Sequence, residues 1–183
     1  MNSALIIMVI AVLAIAFLWY LYNSIIVAKM HVSEALSQID VQLKRRADLI
    51  PNLVETVKGY AKHEKEIFEK VSEERANLVA AKGPAEKAQA NNQLSQTLKS
   101  IFAIAENYPD LKASQNFMEL QEELSDTENK IAYARQFYNS NVLDYNTKLK
   151  VFPNVFFAKL FNFTDAEFFG TTDQEKQPVK VNF

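Results

Sequence analysis

The chain has no cysteine, only two histidines and three glycines, and five prolines in 183 residues. Without cysteine there is no disulfide, no thiolate nucleophile and no sulfur ligand for a metal, which fits a reducing compartment. A phosphate-cradling loop needs glycines close together, and Gly59, Gly83 and Gly170 are far apart. The histidines fare no better. Ile67 occupies the position where a zincin motif beginning at His63-Glu64 needs its second histidine. Ala28 and Tyr60 stand three residues before His31 and His63, where a di-iron bundle needs glutamates. A net charge of −2 offers no basic face to nucleic acid. The residues therefore point to a non-enzymatic chain with no cofactor, no metal and no evident small-molecule substrate.

What is abundant is apolar length. A run of 18 apolar or aromatic residues opens at Ala4 and closes at Leu21, and the first charge is Lys29. As a helix that run is about 27 Å long, and the uncharged stretch up to Ala28 exceeds the roughly 30 Å of a hydrocarbon core. Ala14-Ile15-Ala16 resembles a signal-peptidase site, but no Lys or Arg precedes the run and it continues well past that site. Residues 1–28 therefore read as a retained transmembrane anchor in contact with lipid, with Trp19, Tyr20 and Tyr22 as its interfacial aromatic belt. Lys29 and Lys44-Arg45-Arg46 follow the span and no basic residue precedes it, which places the N-terminus outside and the rest in the cytoplasm.

Between Lys29 and Val151, glycine and proline occur only at Pro51, Gly59, Gly83, Pro84 and Pro109, which leaves room for long helices. Apolar residues recur every seven positions in two seams. One runs Leu36, Leu43, Ile50, Val57, Glu64, Val71, Leu78; the other runs Val32, Ile39, Arg46, Leu53, Tyr60, Ile67, Glu74. Because the phase continues through Pro51, one kinked helix over 29–82 is expected, ended by Gly83-Pro84. A second helix covers 85–106. The third, 113–150, carries the heptad Phe117, Leu120, Leu124, Thr127, Ile131, Ala134, Tyr138, Asn141, Tyr145. A short fourth covers 154–161. The fold class is thus all-α: an N-terminal transmembrane helix, then an antiparallel bundle of three long helices and a short C-terminal one over 29–163. Residues 164–183 read as a flexible polar tail.

Within this scheme Lys44 pairs with Asp48 at i,i+4, and Arg46, on the seam, meets a carboxylate or amide of another helix. Tyr138-Asn139 and Tyr145-Asn146 repeat at seven residues and share a face, where amides or the Arg46 and Arg135 guanidiniums supply hydroxyl partners. Seven of the 13 phenylalanines, Phe152, Phe156, Phe157, Phe161, Phe163, Phe168 and Phe169, crowd the C-terminal end. Counting helices out from the membrane places them at the far end of the bundle, as a cap or a contact between subunits.

The segment Ile39-Asp40-Val41-Gln42-Leu43-Lys44-Arg45-Arg46-Ala47-Asp48-Leu49-Ile50-Pro51-Asn52-Leu53-Val54 closely resembles the signature of the LemA family. So do Glu106-Asn107-Tyr108-Pro109-Asp110-Leu111-Lys112-Ala113 and the Ala134-Arg135, Tyr138-Asn139, Tyr145-Asn146 and Phe152-Pro153 pairs. One position departs, Asn162-Phe163 standing where the family usually has Gly-Phe. The resemblance implies a bacterial inner-membrane protein with one span and a helical bundle, and brings no catalytic residue or cofactor. It also associates some relatives with the shaping of internal membranes, and their genes with membrane proteases as neighbours.

Helix lengths suggest a partner. The returning helix covers less than half of the outgoing one, so Leu36, Ile39 and Leu43 lack a cover within the chain. Exposed apolar surface is unfavourable by about 25 cal/mol per Å². A homo-oligomer is expected, with contacts at Leu36, Ile39 and Leu43 and through Phe156, Phe157 and Phe161; the alternative is a sharp bend at Pro51 that folds the lower segment back and covers it within one chain. The reading is a membrane-anchored scaffold or assembly protein. The alternative is an adaptor for a membrane protease or PDZ-bearing partner, engaged through the terminal Val181-Asn182-Phe183.

Overall fold

The computed structural model of the chain describes residues 2–170. Among these, six helices and no strand occur: α1 (Asn2–Lys58), α2 (Lys65–Ala80), α3 (Gly83–Ala105), the single turn α4 (Pro109–Lys112), α5 (Gln115–Lys150) and α6 (Asn154–Leu160). The tail motif Val181-Asn182-Phe183 lies outside the described residues.

Helix α1 is one rod of 57 residues, about 85 Å at the usual rise. Its first third is bare: residues 3–20 are exposed on every face, with an 18-residue window of mean hydropathy 2.8. That stretch is long and apolar enough to cross a membrane. Burial begins at Leu21 and follows both heptad seams through Val32, Ile39, Leu43, Arg46, Ile50, Leu53 and Val57.

The helix does pass through Pro51, and α2 explains how. Proline has no N–H for the carbonyl four residues back, here Ala47. Arg75 Nε of α2 donates to that same oxygen at 2.7 Å, closing the gap from outside the helix.

The chain breaks instead at residues 59–64, which corrects the expected single helix over 29–82. Gly59 is a poor helix residue, and at the next position of each seam the apolar character lapses: Tyr60 is exposed and Glu64 falls on the other seam. The Tyr60 and Ala61 amides donate to Val57 O, and Ala61 is fully buried, so the turn is packed.

This break changes the number of passes. Lys58 lies over the Phe68 ring and Arg75 reaches Ala47, so α2 runs back along α1. Lys87 pairs with Asp40 and Asn91 with Arg46, so α3 runs outward again, parallel to α1. Arg45 faces Glu123 and Lys148 reaches Ser24 O, so α5 returns along the whole bundled part of α1. Four passes, not three, put the end of α5 and the phenylalanines at the end of the bundle nearest the apolar stretch of α1, correcting the far-end placement.

It also covers the seam expected to drive self-association. Ile39 is fully buried, Leu43 nearly so, and Leu36 packs on the same core, all within one chain. The tail reading is corrected as well for residues 164–170, where Phe169 is buried in the main core.

Candidate functional site

The described residues contain no group of three or more His, Asp or Glu side chains that could hold a metal. His31 faces Glu34 at 3.6 Å on the surface, and His63 sits in the turn after α1. A cleft of about 520 Å³ between α1, α2 and α3 is lined by Asp40, Lys44, Asp48, Arg75 and Lys87 among others. Each of its carboxylates is paired, Asp40 with Lys87 at 2.6 Å and Asp48 with Lys44 at 2.8 Å, and Arg75 donates to the Ala47 carbonyl. Asp48 therefore belongs to the surface and does not join the network around Arg46.

Among the described residues Arg46 is the one cation in the set of fully buried large side chains. Its Nη1 donates to Asn91 Oδ1 of α3 at 2.8 Å, and Nη2 lies 3.7 Å from Glu128 Oε2 of α5. It thus ties three helices at one level. The Nε–H and the Oε1 of Gln42, one turn earlier on the same helix, have no partner among the described residues. Burial lowers the Arg46 pKa from its usual value, and the nearby Glu128 carboxylate opposes the shift. A guanidinium titrates so far above neutrality that it stays charged.

The second polar set lies on α5 and captures a strap formed by residues 164–170. Asn146 donates from Nδ2 to Ala166 O at 2.9 Å and accepts the Ala166 N–H at 2.8 Å. Asn139 does the same for Phe169, at 3.1 and 2.8 Å. Each amide copies the pairing of a neighbouring strand. Tyr145 and Tyr138 donate to the carbonyls of Thr164 at 3.2 Å and Glu167 at 2.7 Å.

The spacing is a matter of lengths. Seven helical residues advance about 10.5 Å, and three extended residues advance about 10 Å, so the repeated Tyr-Asn pair meets a strap residue triplet in step. The tyrosine hydroxyls therefore find backbone carbonyls, and the guanidiniums proposed for them are elsewhere. Arg135 instead stacks on the Phe169 ring at 5.5 Å. Gly170 has φ +74°, a left-handed conformation that favours glycine, and the mobile end of Arg135 lies where a Cβ would stand. Burial raises the pKa of Tyr138 and Tyr145, with Glu167 and Asp165 respectively adding to the effect.

Between α5 and the strap, α6 crosses the end of the bundle. Asn162 ends it at φ +54°, with Phe163 N–H closing on Ala158 O at 2.9 Å. Asparagine tolerates this left-handed cap better than other non-glycine residues, which accommodates the Asn-Phe departure. Ala158 is buried and Phe157 half-buried, whereas Phe156 and Phe161 are exposed. Phe161 packs edge-on against Tyr22 of α1 at 5.1 Å. Trp19 and Tyr20 are exposed, like the apolar stretch from Ala4 onward, and Leu21 is the first side chain the bundle covers.

A helix able to cross a membrane, running unbroken into a bundle whose buried polar groups hold helices and strap in register, defines a membrane-associated helical protein. The chain belongs to the LemA family, whose sequence model matches residues 35–183. It is 25% identical to magnetosome protein MamQ 2 of Paramagnetospirillum magneticum, over 97% of this chain and 75% of that one. MamQ of Magnetospirillum gryphiswaldense is also 25% identical, over 86% and 68%. Protein LemA of Metamycoplasma hominis is 24% identical, over 93% and 80%.

Proposed function

We propose that the protein is a non-enzymatic scaffold anchored in the bacterial inner membrane by α1, N-terminus outside, and that it acts through protein contacts of its cytoplasmic bundle. The supporting observation is a shallow groove between α1 and α5, lined by Gln38, Val41, Gln42, Lys130, Tyr133, Ala134 and Phe137. Val41, Tyr133 and Phe137 are exposed there, although both helices have filled their core seams, and the unpartnered Gln42 Oε1 lies at the same place. An exposed apolar patch rimmed by polar groups is a contact surface. A second copy of the chain, or another membrane protein, is the occupant in this reading. The relatives named as magnetosome proteins support membrane association.

The test is a photoreactive phenylalanine analogue at Tyr133 in the full chain, cross-linked in native membranes and followed by mass spectrometry. Protein adducts are expected at Tyr133 and not at the exposed Met118. No adduct at Tyr133 contradicts the scaffold reading. Adducts that vanish on deletion of residues 181–183 transfer the function to the C-terminal adaptor.

A further inference from the structure

We propose that α6 and its flanks are a second membrane-contacting element: Phe152, Phe156, Leu160 and Phe161 enter the interface of a phospholipid bilayer beside α1. This rests on the reading that α1 spans that bilayer.

Position is the first argument. Lys148 is level with Ser24, to whose carbonyl it donates at 3.3 Å, and α5 at that point is heading toward the N-terminus of α1. Two more residues complete the helix at Lys150, so the turn that carries Phe152 reaches the level of Leu21 and Tyr20, where α1 becomes bare. Phe161 is in contact with Tyr22 at that same level. The patch is therefore continuous with the apolar surface of the span.

Exposure is the second. Phe152 is 80% exposed, Leu160 71%, Phe156 65% and Phe161 52%. Phe152, Phe156 and Leu160 recur every four residues, and the Phe152 and Phe156 rings stack edge to face at 6.1 Å. The opposite side of α6 is anchored to the core through Ala158 and Phe157. A helix held by one face while the other presents large apolar side chains to water is placed to meet a second apolar phase.

Charge is the third. Helix α6 contains Lys159 and no carboxylate, and Lys159 makes no ion pair among the described residues. The acidic Asp165 and Glu167 lie on the strap, which runs back along α5 and away from the span, and Asp165 is paired with Lys150 at 2.6 Å. Phenylalanine and leucine toward the acyl chains with lysine at the headgroups is the composition of an interfacial helix. A lipid surface therefore fits this face better than another protein does.

The absence of native cysteine allows single labels to be placed in the full-length chain. Leu13→Cys, Phe156→Cys, Leu160→Cys and Val79→Cys would each carry a nitroxide, with the protein reconstituted in phosphatidylcholine–phosphatidylglycerol vesicles. Power saturation against oxygen and a water-soluble nickel chelate then reports depth. The expected result is an oxygen-to-nickel ratio several-fold higher at 156 and 160 than at the exposed Val79→Cys, at a depth of about 5–10 Å and shallower than Leu13→Cys. Labels at 156 and 160 that match Val79→Cys while Leu13→Cys stays deep would overturn the proposal and leave the span intact. A Leu13→Cys label open to nickel would overturn both. Exclusion of both reagents at 156 and 160 would mean a protein contact, and would also overturn it.

Discussion

Arg46→Glu is expected to destabilise the bundle by about 3–5 kcal/mol, because it places an unpaired carboxylate in a buried seam and opposite Glu128. Arg46→Ala should cost about 2–4 kcal/mol, since it leaves a cavity and strands the Asn91 carbonyl oxygen that now accepts the guanidinium at 2.8 Å. Arg46→Leu, which fills more of the volume, should cost less than either. The guanidinium is itself imperfectly satisfied, its Nε lacking a partner among the described residues, so an apolar replacement also removes a desolvated donor. Thermal unfolding of the full chain in detergent, followed by circular dichroism, ranks the three. Equal melting temperatures would mean that Arg46 does not join α1, α3 and α5.

Asn139→Leu with Asn146→Leu should release the strap while leaving the helices formed. Each substitution strands a backbone N–H and a carbonyl, at about 1–3 kcal/mol apiece. The amides of Ala166 and Phe169 should then exchange with solvent much faster than in the native chain, with helical content unchanged. Unaltered exchange at both would contradict the strap geometry. The tyrosines add a pH dependence with a definite sign. Folding raises the pKa of Tyr138 and Tyr145, so the folded state holds their protons more tightly. Their contribution is fully present below the unfolded value of about 10 and is lost as pH rises through the folded values. Tyr138→Phe should flatten that alkaline loss.

Much of this architecture is written in the heptads. Leu43, Ile50 and Val57 on one seam, and Ile39, Arg46 and Leu53 on the other, are buried, as are Phe117, Leu124, Thr127, Ile131, Tyr138 and Tyr145 on α5. The seam position of Arg46 predicted a partner on another helix, and Asn91 and Glu128 lie on two. The break at residues 59–64 is masked in the sequence, because Val71 and Leu78 resume the seven-residue phase on α2 after the turn. Gly59 followed by Glu64 on the seam was the available signal. The turn there reverses the sense of every later helix, which sets the phenylalanines at the end of the bundle nearest the apolar stretch of α1. The strap was hidden for a different reason. Thr164, Asp165 and Glu167 are polar because their side chains face water, while α5 grips their neighbourhood through backbone groups, which composition does not report. Only the Tyr-Asn repeat, read as a ladder for an extended chain, would have revealed it.

In the proposed topology α1 joins the membrane to the bundle, with the bundle on the cytoplasmic side. Single cysteines at Ser3 and at the exposed Val79, probed on intact cells with a membrane-impermeant maleimide, test this directly. Ser3→Cys should be labelled in intact cells, and Val79→Cys only after permeabilisation. Labelling of Val79→Cys in intact cells, or loss of the protein from membranes on a carbonate wash, would contradict it.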